Sequence, residues 1–168
     1  LLRHLKSQWN KENRWAGWTD GPLSQEGKKE AEAVAKKLFK LKIDKVYASP
    51  LFRNMDTVAR IFEHSSKYPF FIHLDGGKIQ KWGNYKDIGR TKNYIPVYVS
   101  EKLNERYYGK LQGENRESMM KKYGKEKVRL WRRSYNVAPP GGESLKDVVK
   151  RAIPFYKKFI ENDLKRGK

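Results

Sequence analysis

Ala31, Val34, Ala35 and Leu38 recur at helical spacing, while Lys28, Lys29, Lys36 and Lys37 take the opposite face. That pattern predicts a helix running from an N-cap at Ser24 to about Leu41. Residues 43–49 are rich in β-formers and end at Pro50, which predicts a strand. Met55, Val58, Ala59 and Phe62 mark one face of a second helix, and Val97-Tyr98-Val99 a further strand. Leu1-Leu2 reads as the tail of a buried strand, followed by a long polar loop to about Pro22. Residues 118–123 and 126–133 read as short helices. Pro139-Pro140-Gly141-Gly142 is a rigid turn, after which Ser144 and Asp147 are spaced as a capping box. They open a helix with Leu145, Val148, Val149, Ala152, Tyr156 and Phe159 on its buried face, and Pro154 should kink it. The alternation of strand and helix predicts an α/β fold with a mostly parallel sheet flanked by helices.

Residues 65–95 break this rhythm. Gly76-Gly77, Gly83, Gly89 and the aromatics Phe70, Phe71, Trp82, Tyr85 and Tyr94 leave no helical period. The stretch reads as a basic, aromatic insertion, with a hairpin as one form for it, inside a single domain spanning 1–168.

Composition adds a charge question. Against 38 Lys+Arg stand 19 Asp+Glu, giving a formal net charge of +19. Solubility requires far less, so a polyanionic partner is implied: nucleic acid, an acidic membrane surface or an acidic protein. The competing reading spreads the Lys residues over solvated helix faces. Within the insertion, Lys78, Lys81, Trp82, Tyr85, Lys86, Arg90 and Lys92 combine cations with aromatics that could stack on unpaired bases. The absence of Cys excludes a disulfide scaffold, thiolate metal sites and cysteine nucleophiles. No apolar run is long enough for a membrane-spanning helix. The chain opens on Leu1 without a Met, so its N-terminus is expected upstream or removed.

Candidate chemistry begins at Arg3-His4. A His just beyond a strand's carboxyl end faces the ligand crevice of an α/β sheet. Neutral imidazole can attack phosphorus, and Arg forks can hold the phosphate oxygens. Arg3, Arg14, Arg53, Arg106, Arg132 and Arg133 are available for that role, and Glu105 is a possible proton donor.

Five segments carry a resemblance. They are Arg3-His4 with Ser7, Trp9 and Asn10; the run from Asn13 to Ser24; the run from Leu103 to Gly113; Lys122-Tyr123-Gly124 with Trp131-Arg132-Arg133; and Gly142-Glu143-Ser144-Leu145. Together they resemble the 2,3-bisphosphoglycerate-dependent phosphoglycerate mutases of the histidine phosphatase superfamily. The resemblance implies that family's three-layer sandwich and a metal-free phosphoryl transfer between the 2 and 3 positions of glycerate. It implies His4 as the phosphorylated residue and Glu105 as the general acid/base. Arg3, Asn10, Arg53, Tyr108, Arg116, Arg132 and Arg133 are implied as phosphate and substrate contacts. An active member would use 2,3-bisphosphoglycerate; a lapsed one would use no cofactor.

Several positions depart from the family pattern. Leu5 stands where members have Gly after the histidine, placing four carbons where a phosphoryl oxygen should sit. Lys6 replaces an acid or amide, Ala16 a hydroxyl residue, Arg116 a Lys, and Tyr107 a His found in many members. The chain stops at Arg166-Gly167-Lys168, before the family's strand with the second active-site histidine, and neither His64 nor His73 has its His-Gly context. The expectation is therefore a catalytically lapsed member: a basic structural subunit of a ribonucleoprotein such as a mitochondrial ribosome. Its partners would be rRNA and neighbouring proteins, with a second chain or unseen residues completing the sheet. Two alternatives stand beside it: an active mutase in the cytoplasm working through phospho-His4, and a subunit of a membrane-bound mitochondrial complex.

Overall fold

The computed structural model describes residues 1–84, 88 and 91–167. A three-stranded sheet in the order β1-β3-β2 forms its centre, from β1 (Val46–Ala48), β2 (Tyr68–His73) and β3 (Tyr94–Val99). Both pairings are parallel, Val46 to Ala48 opposite Val97 to Val99, and Tyr68 to His73 opposite Tyr94 to Val99. Pro96 lies inside the central strand, where a missing N–H should break the ladder. It is tolerated because the β1 ladder begins one residue later, at Val97.

Helix α1 (Gln8–Lys11) is closed by a capping box between Ser7 and Asn10. Helix α2 (Gln25–Leu38) starts at Ser24 as expected, with the hydroxyl accepting from Gly27 N, but stops short of Leu41, which is exposed. Its inner face of Gly27, Ala31 and Ala35 is small-sided for a reason: a Cβ on Gly27 would lie 2.1 Å from the Lys6 carbonyl, so only Gly lets α2 approach that segment. Helix α3 (Phe52–Phe62) buries Arg53, Thr57, Ile61 and Phe62, with Met55, Val58 and Ala59 only half-buried. Ala35, Ile61, Phe62 and Ile95 form the core between α2, α3 and the sheet. Helices α5 (Arg116–Tyr123) and α6 (Lys125–Arg133) enclose a second core of Trp15, Leu111, Met119, Val128 and Trp131.

Three expectations change. Leu1 and Leu2 are exposed and belong to no strand, since no described segment pairs with them. The stretch 65–95 holds no hairpin among its described residues. It supplies the outer strand β2 and helix α4 (Gly77–Gly83), because Phe71 and Ile72 pack at half-buried strand positions against β3. Helix α7 (Leu145–Phe155) has the Ser144–Asp147 capping box, but it is rotated from the expected face. Leu145, Val149, Ile153 and Tyr156 are exposed, whereas Val148, Arg151, Ala152 and Phe155 turn inward, seating Arg151 on the chain after β3. Beyond Pro154 the helix continues through a π-helical turn, Tyr156–Ile160, into α8 (Glu161–Lys165). Asp163 anchors α8 to β1, accepting from Lys45 Nζ at 2.7 and 2.8 Å and from the Tyr47 hydroxyl.

Candidate active site

His4 follows an N-terminal segment that belongs to no helix or strand, and is half-buried. Its Nδ1 lies 2.6 Å from the Leu5 carbonyl oxygen. A carbonyl only accepts, so Nδ1 carries the proton and Nε2 keeps its lone pair. Burial lowers the imidazole's pKa from its ordinary 6.5, with Arg53 and Arg3 adding to the effect; the Leu5 hydrogen bond and Glu105 oppose it. The ring is thus held neutral, in the tautomer a nucleophile needs.

Arg53 comes from the first turn of α3, just beyond β1, and is 1% exposed. Its Nη2 donates to Gly17 O at 2.7 Å and to Glu105 Oε2 at 2.9 Å, and its Nη1 to Thr19 O at 3.0 Å. Those carbonyls belong to the loop 16–20, which Gln112 fixes by accepting from Trp18 N and donating to Thr19 Oγ1. Arg53 Nε has no protein partner although buried.

Glu105 itself is exposed and faces His4, Arg53, Tyr108 and Arg116 closely enough to act on His4, Tyr108 and Arg116 electrostatically. Burial, and then the Glu105 charge, raise the Tyr108 phenol above 10, so it remains an O–H donor. Arg116 lies over the Trp15 ring at 5.4 Å, its pKa lowered by burial and then by Arg132. With Arg132 and Arg133 it lines a cavity of about 310 Å3. Arg116 Nε and the Nε and Nη1 of Arg106 are buried without partners. Buried cationic donors without acceptors fit an anion, although Arg106 also donates from Nη2 to Arg132 O at 3.1 Å. A larger cleft of about 750 Å3, beside Leu74, Asp75 and Phe159, is lined by none of His4, Arg53, Glu105 or Arg116.

The other expected residues separate. Arg3 is exposed beside His4. Asn10 spends its carboxamide oxygen on Ser7 N, leaving its Nδ2 hydrogens outside the capping box. Arg14 donates to Gly113 O and Glu12 and is a loop brace rather than a phosphate fork. Lys78, Lys81 and Trp82 are exposed on α4, and Lys92 is exposed before β3; Lys86, Arg90 and Tyr85 lie outside the described residues. Lys78 lies 5.3 Å from the Trp82 ring centre, so this cation and aromatic pair with each other. His64 ends up exposed after α3 and His73 at the end of β2, and neither is among the groups acting on His4. Among the described residues no cluster of three or more His, Asp or Glu could hold a metal ion, and no helix is long and apolar enough to cross a membrane.

Leu5 does not sit where the sequence suggested. Its side chain is 4% exposed, packed with Leu23 and Ala31 against α2. Its N–H donates to Thr57 Oγ1 at 3.0 Å. The four carbons therefore enter the core, away from the Arg-lined side of His4. Sequence reasoning missed Thr57, Gln112 and Arg151, whose roles depend on tertiary contacts with no short-range signal.

The chain matches the histidine phosphatase superfamily (branch 1) over residues 1–74 and 85–166. It is 46% identical over 169 residues to a 2,3-bisphosphoglycerate-dependent phosphoglycerate mutase of Methanococcus vannielii, covering 100% of this chain and 72% of that protein. To the corresponding protein of Chlamydia pneumoniae it is 42% identical over 170 residues, covering 100% and 74%. Among solved structures, a mycobacterial glucosyl-3-phosphoglycerate phosphatase complexed with VO3 superposes with a TM-score of 0.71 at 26% identity, over 95% of this chain and 65% of that one. Bacillus stearothermophilus YhfR shares the fold with a TM-score of 0.68 at 23% identity, over 95% and 65%. The chain thus spans about three quarters of the length of these curated relatives and less than two thirds of these solved structures. It belongs to the histidine phosphatase superfamily and, within it, to the family of 2,3-bisphosphoglycerate-dependent phosphoglycerate mutases.

These relatives overturn the expectation of a catalytically lapsed ribonucleoprotein subunit. Proteins 40% to 46% identical over the whole chain are named as mutases, and none of these names points to a ribosome, RNA or a mitochondrion. Of the grounds for that expectation, the obstruction by Leu5 fails for a physical reason: Leu5 is a core residue.

Proposed function

We propose that the protein interconverts 3- and 2-phosphoglycerate by carrying the phosphoryl group on His4. The observation behind this reading is the tautomer: Nδ1–H is bound by the Leu5 carbonyl, so the Nε2 lone pair is free beside a set of Arg side chains. Arg53, Arg116 and Arg106 are the residues to hold the phosphates of 2,3-bisphosphoglycerate, which supplies the phosphoryl group that loads the histidine.

For a phosphate ester in the site, the Nε2 lone pair forms the N–P bond as the ester P–O bond breaks. Arg53 spreads the charge on the transferring oxygens. Protonated Glu105 gives its proton to the departing oxygen. In the reverse direction the Glu105 carboxylate takes the proton from an attacking hydroxyl while the N–P bond breaks. Tyr108 and Arg116 hold the rest of the substrate. Glu105 accepts from Arg53 Nη2, so phosphate oxygens reaching that nitrogen would compete for it and release the carboxyl to its proton-transfer role.

The test is mutase turnover of the protein with catalytic 2,3-bisphosphoglycerate, compared with His4→Ala. The reading requires turnover that His4→Ala abolishes. Turnover that survives in His4→Ala, or none in the parent protein, would overturn it.

A further inference from the structure

Glu105 lies on a segment, residues 104–108, that belongs to no helix or strand. A carboxyl on such a segment keeps its place only if the backbone is fixed from outside. The Glu105 carbonyl takes two side-chain donors, Trp18 Nε1 at 2.7 Å and Arg151 Nη2 at 3.0 Å. Arg151 Nη1 donates to Lys102 O at 3.0 Å and Asn104 O at 2.9 Å. The remaining donors are closed by Glu143, which accepts from Arg151 Nε at 2.8 Å and from Nη2 at 2.9 Å.

Glu143 joins the same segment from its other end. Its carboxylate accepts from Tyr107 N at 2.8 Å, and its own N–H donates to Tyr107 O at 2.8 Å. Gly142 makes this approach possible, since a Cβ there would lie 2.6 Å from Tyr107 O. The Arg151 guanidinium also lies 5.6 Å from the Trp18 ring centre. All five N–H bonds of Arg151 are therefore spent within the protein. It has no donor left for substrate, although it stands one residue-span from the proton donor.

We propose that Arg151, clamped by Glu143, is a positioning residue that sets where the Glu105 carboxyl meets Arg53 and the departing oxygen. This rests on the mutase reading for its catalytic consequence. Lys cannot substitute, because one ammonium has three donors and no planar fork to reach four carbonyl and carboxylate partners at once. A loose segment would slow the proton-transfer steps most; Arg106 and Tyr108 ride on it too, but Arg53 and Arg116 are held by α3 and α5, so binding weakens by less than kcat falls.

The experiment compares the parent protein, Arg151→Lys and Trp18→Phe, each shown to be folded by circular dichroism and thermal melting. Arg151→Lys should lower kcat by about tenfold or more, a larger factor than any rise in KM, and should change the shape of the kcat–pH profile. Trp18→Phe removes one donor to the same carbonyl from a different element, so it should move the same quantities in the same direction by less. Unchanged kcat in folded Arg151→Lys, or an unchanged kcat with raised KM, would overturn the proposal.

A second readout does not need turnover. With 13C-labelled glutamate, the Glu105 carboxyl resonance, assigned through Glu105→Gln, should shift in Arg151→Lys toward its position in Arg53→Lys. A resonance that stays at its parent position contradicts the proposal. If the parent protein turns nothing over, the mutase reading fails while this resonance still decides the positioning role. If Arg151→Lys does not fold, Trp18→Phe carries both readouts.

Discussion

Arg53 Nη2 and Glu105 Oε2 lie 2.9 Å apart, one 1% exposed and the other open to solvent at 38% of its side chain. A fully buried guanidinium is costly unless paired. Two backbone carbonyls of the 16–20 loop and one carboxylate supply that pairing here, leaving only Nε unmet. On the proposed mechanism, the pair joins the phosphate-holding Arg53 of α3 to the proton-donating Glu105 of the chain after β3.

Replacing Glu105 by Gln should therefore act on kcat. The amide still accepts from Arg53 but cannot give or take the proton, so kcat should fall by about 10²–10⁴ with little change in KM. Steady-state kinetics on the folded variant checks this. A matching rise in KM at constant kcat would assign Glu105 to substrate binding instead.

The pH dependence follows from His4. Its pKa is lowered from 6.5, by burial first and then by Arg53 and Arg3. The neutral, nucleophilic form thus persists below the ordinary histidine value, and the acid limb of kcat/KM assigned to His4 should lie below 6.5. Removing a positive neighbour, as in Arg3→Ala, should move that limb upward. A downward movement would contradict the assignment.

Leu5→Gly separates obstruction from packing. The change removes a side chain packed with Leu23 and Ala31, costing about 3 kcal/mol of stability. Turnover per folded molecule should not rise. An increase would mean that Leu5 blocks the phosphate after all.

The Asp163 anchor is open to the same kind of test. Asp163→Asn weakens the contacts to Lys45 and Tyr47 that tie α8 to β1, and should cost about 2 kcal/mol in chemical denaturation. Unchanged stability would show that α8 is held by its apolar contacts alone.

Much of the fold is legible in the amino-acid sequence. The Ser24 cap and the Ser144–Asp147 box are local signals that give their helix starts correctly, and Ala31 and Ala35 mark the buried face of α2. Residues 65–95 are harder, because β2 alternates only weakly and carries exposed Tyr68 and Phe70, which mimic a surface loop. The rotation of α7 is not legible either. Arg151 is polar and reads as an outer-face residue, yet it turns inward because backbone carbonyls after β3 accept its fork.

The site divides along the same line. Residues of the Arg3-His4 and Asn104-Glu105-Arg106 runs are contiguous in sequence, so a motif finds them. Arg53 approaches Glu105 across a sequence gap; it is one of six candidate Arg residues, and only the resemblance singles it out from Arg14. Leu5 shows the opposite case: its position in the motif is plain and its direction is not, since side-chain direction is set by α2 and Thr57.

The most direct measurement loads the protein with 32P-labelled 2,3-bisphosphoglycerate, quenches in alkali and maps the label. Phosphoryl transfer through His4 predicts acid-labile, alkali-stable label on His4 that unlabelled 3-phosphoglycerate chases off, and no label in His4→Ala. Label on another residue, or label on His4 that the chase leaves in place, would contradict it.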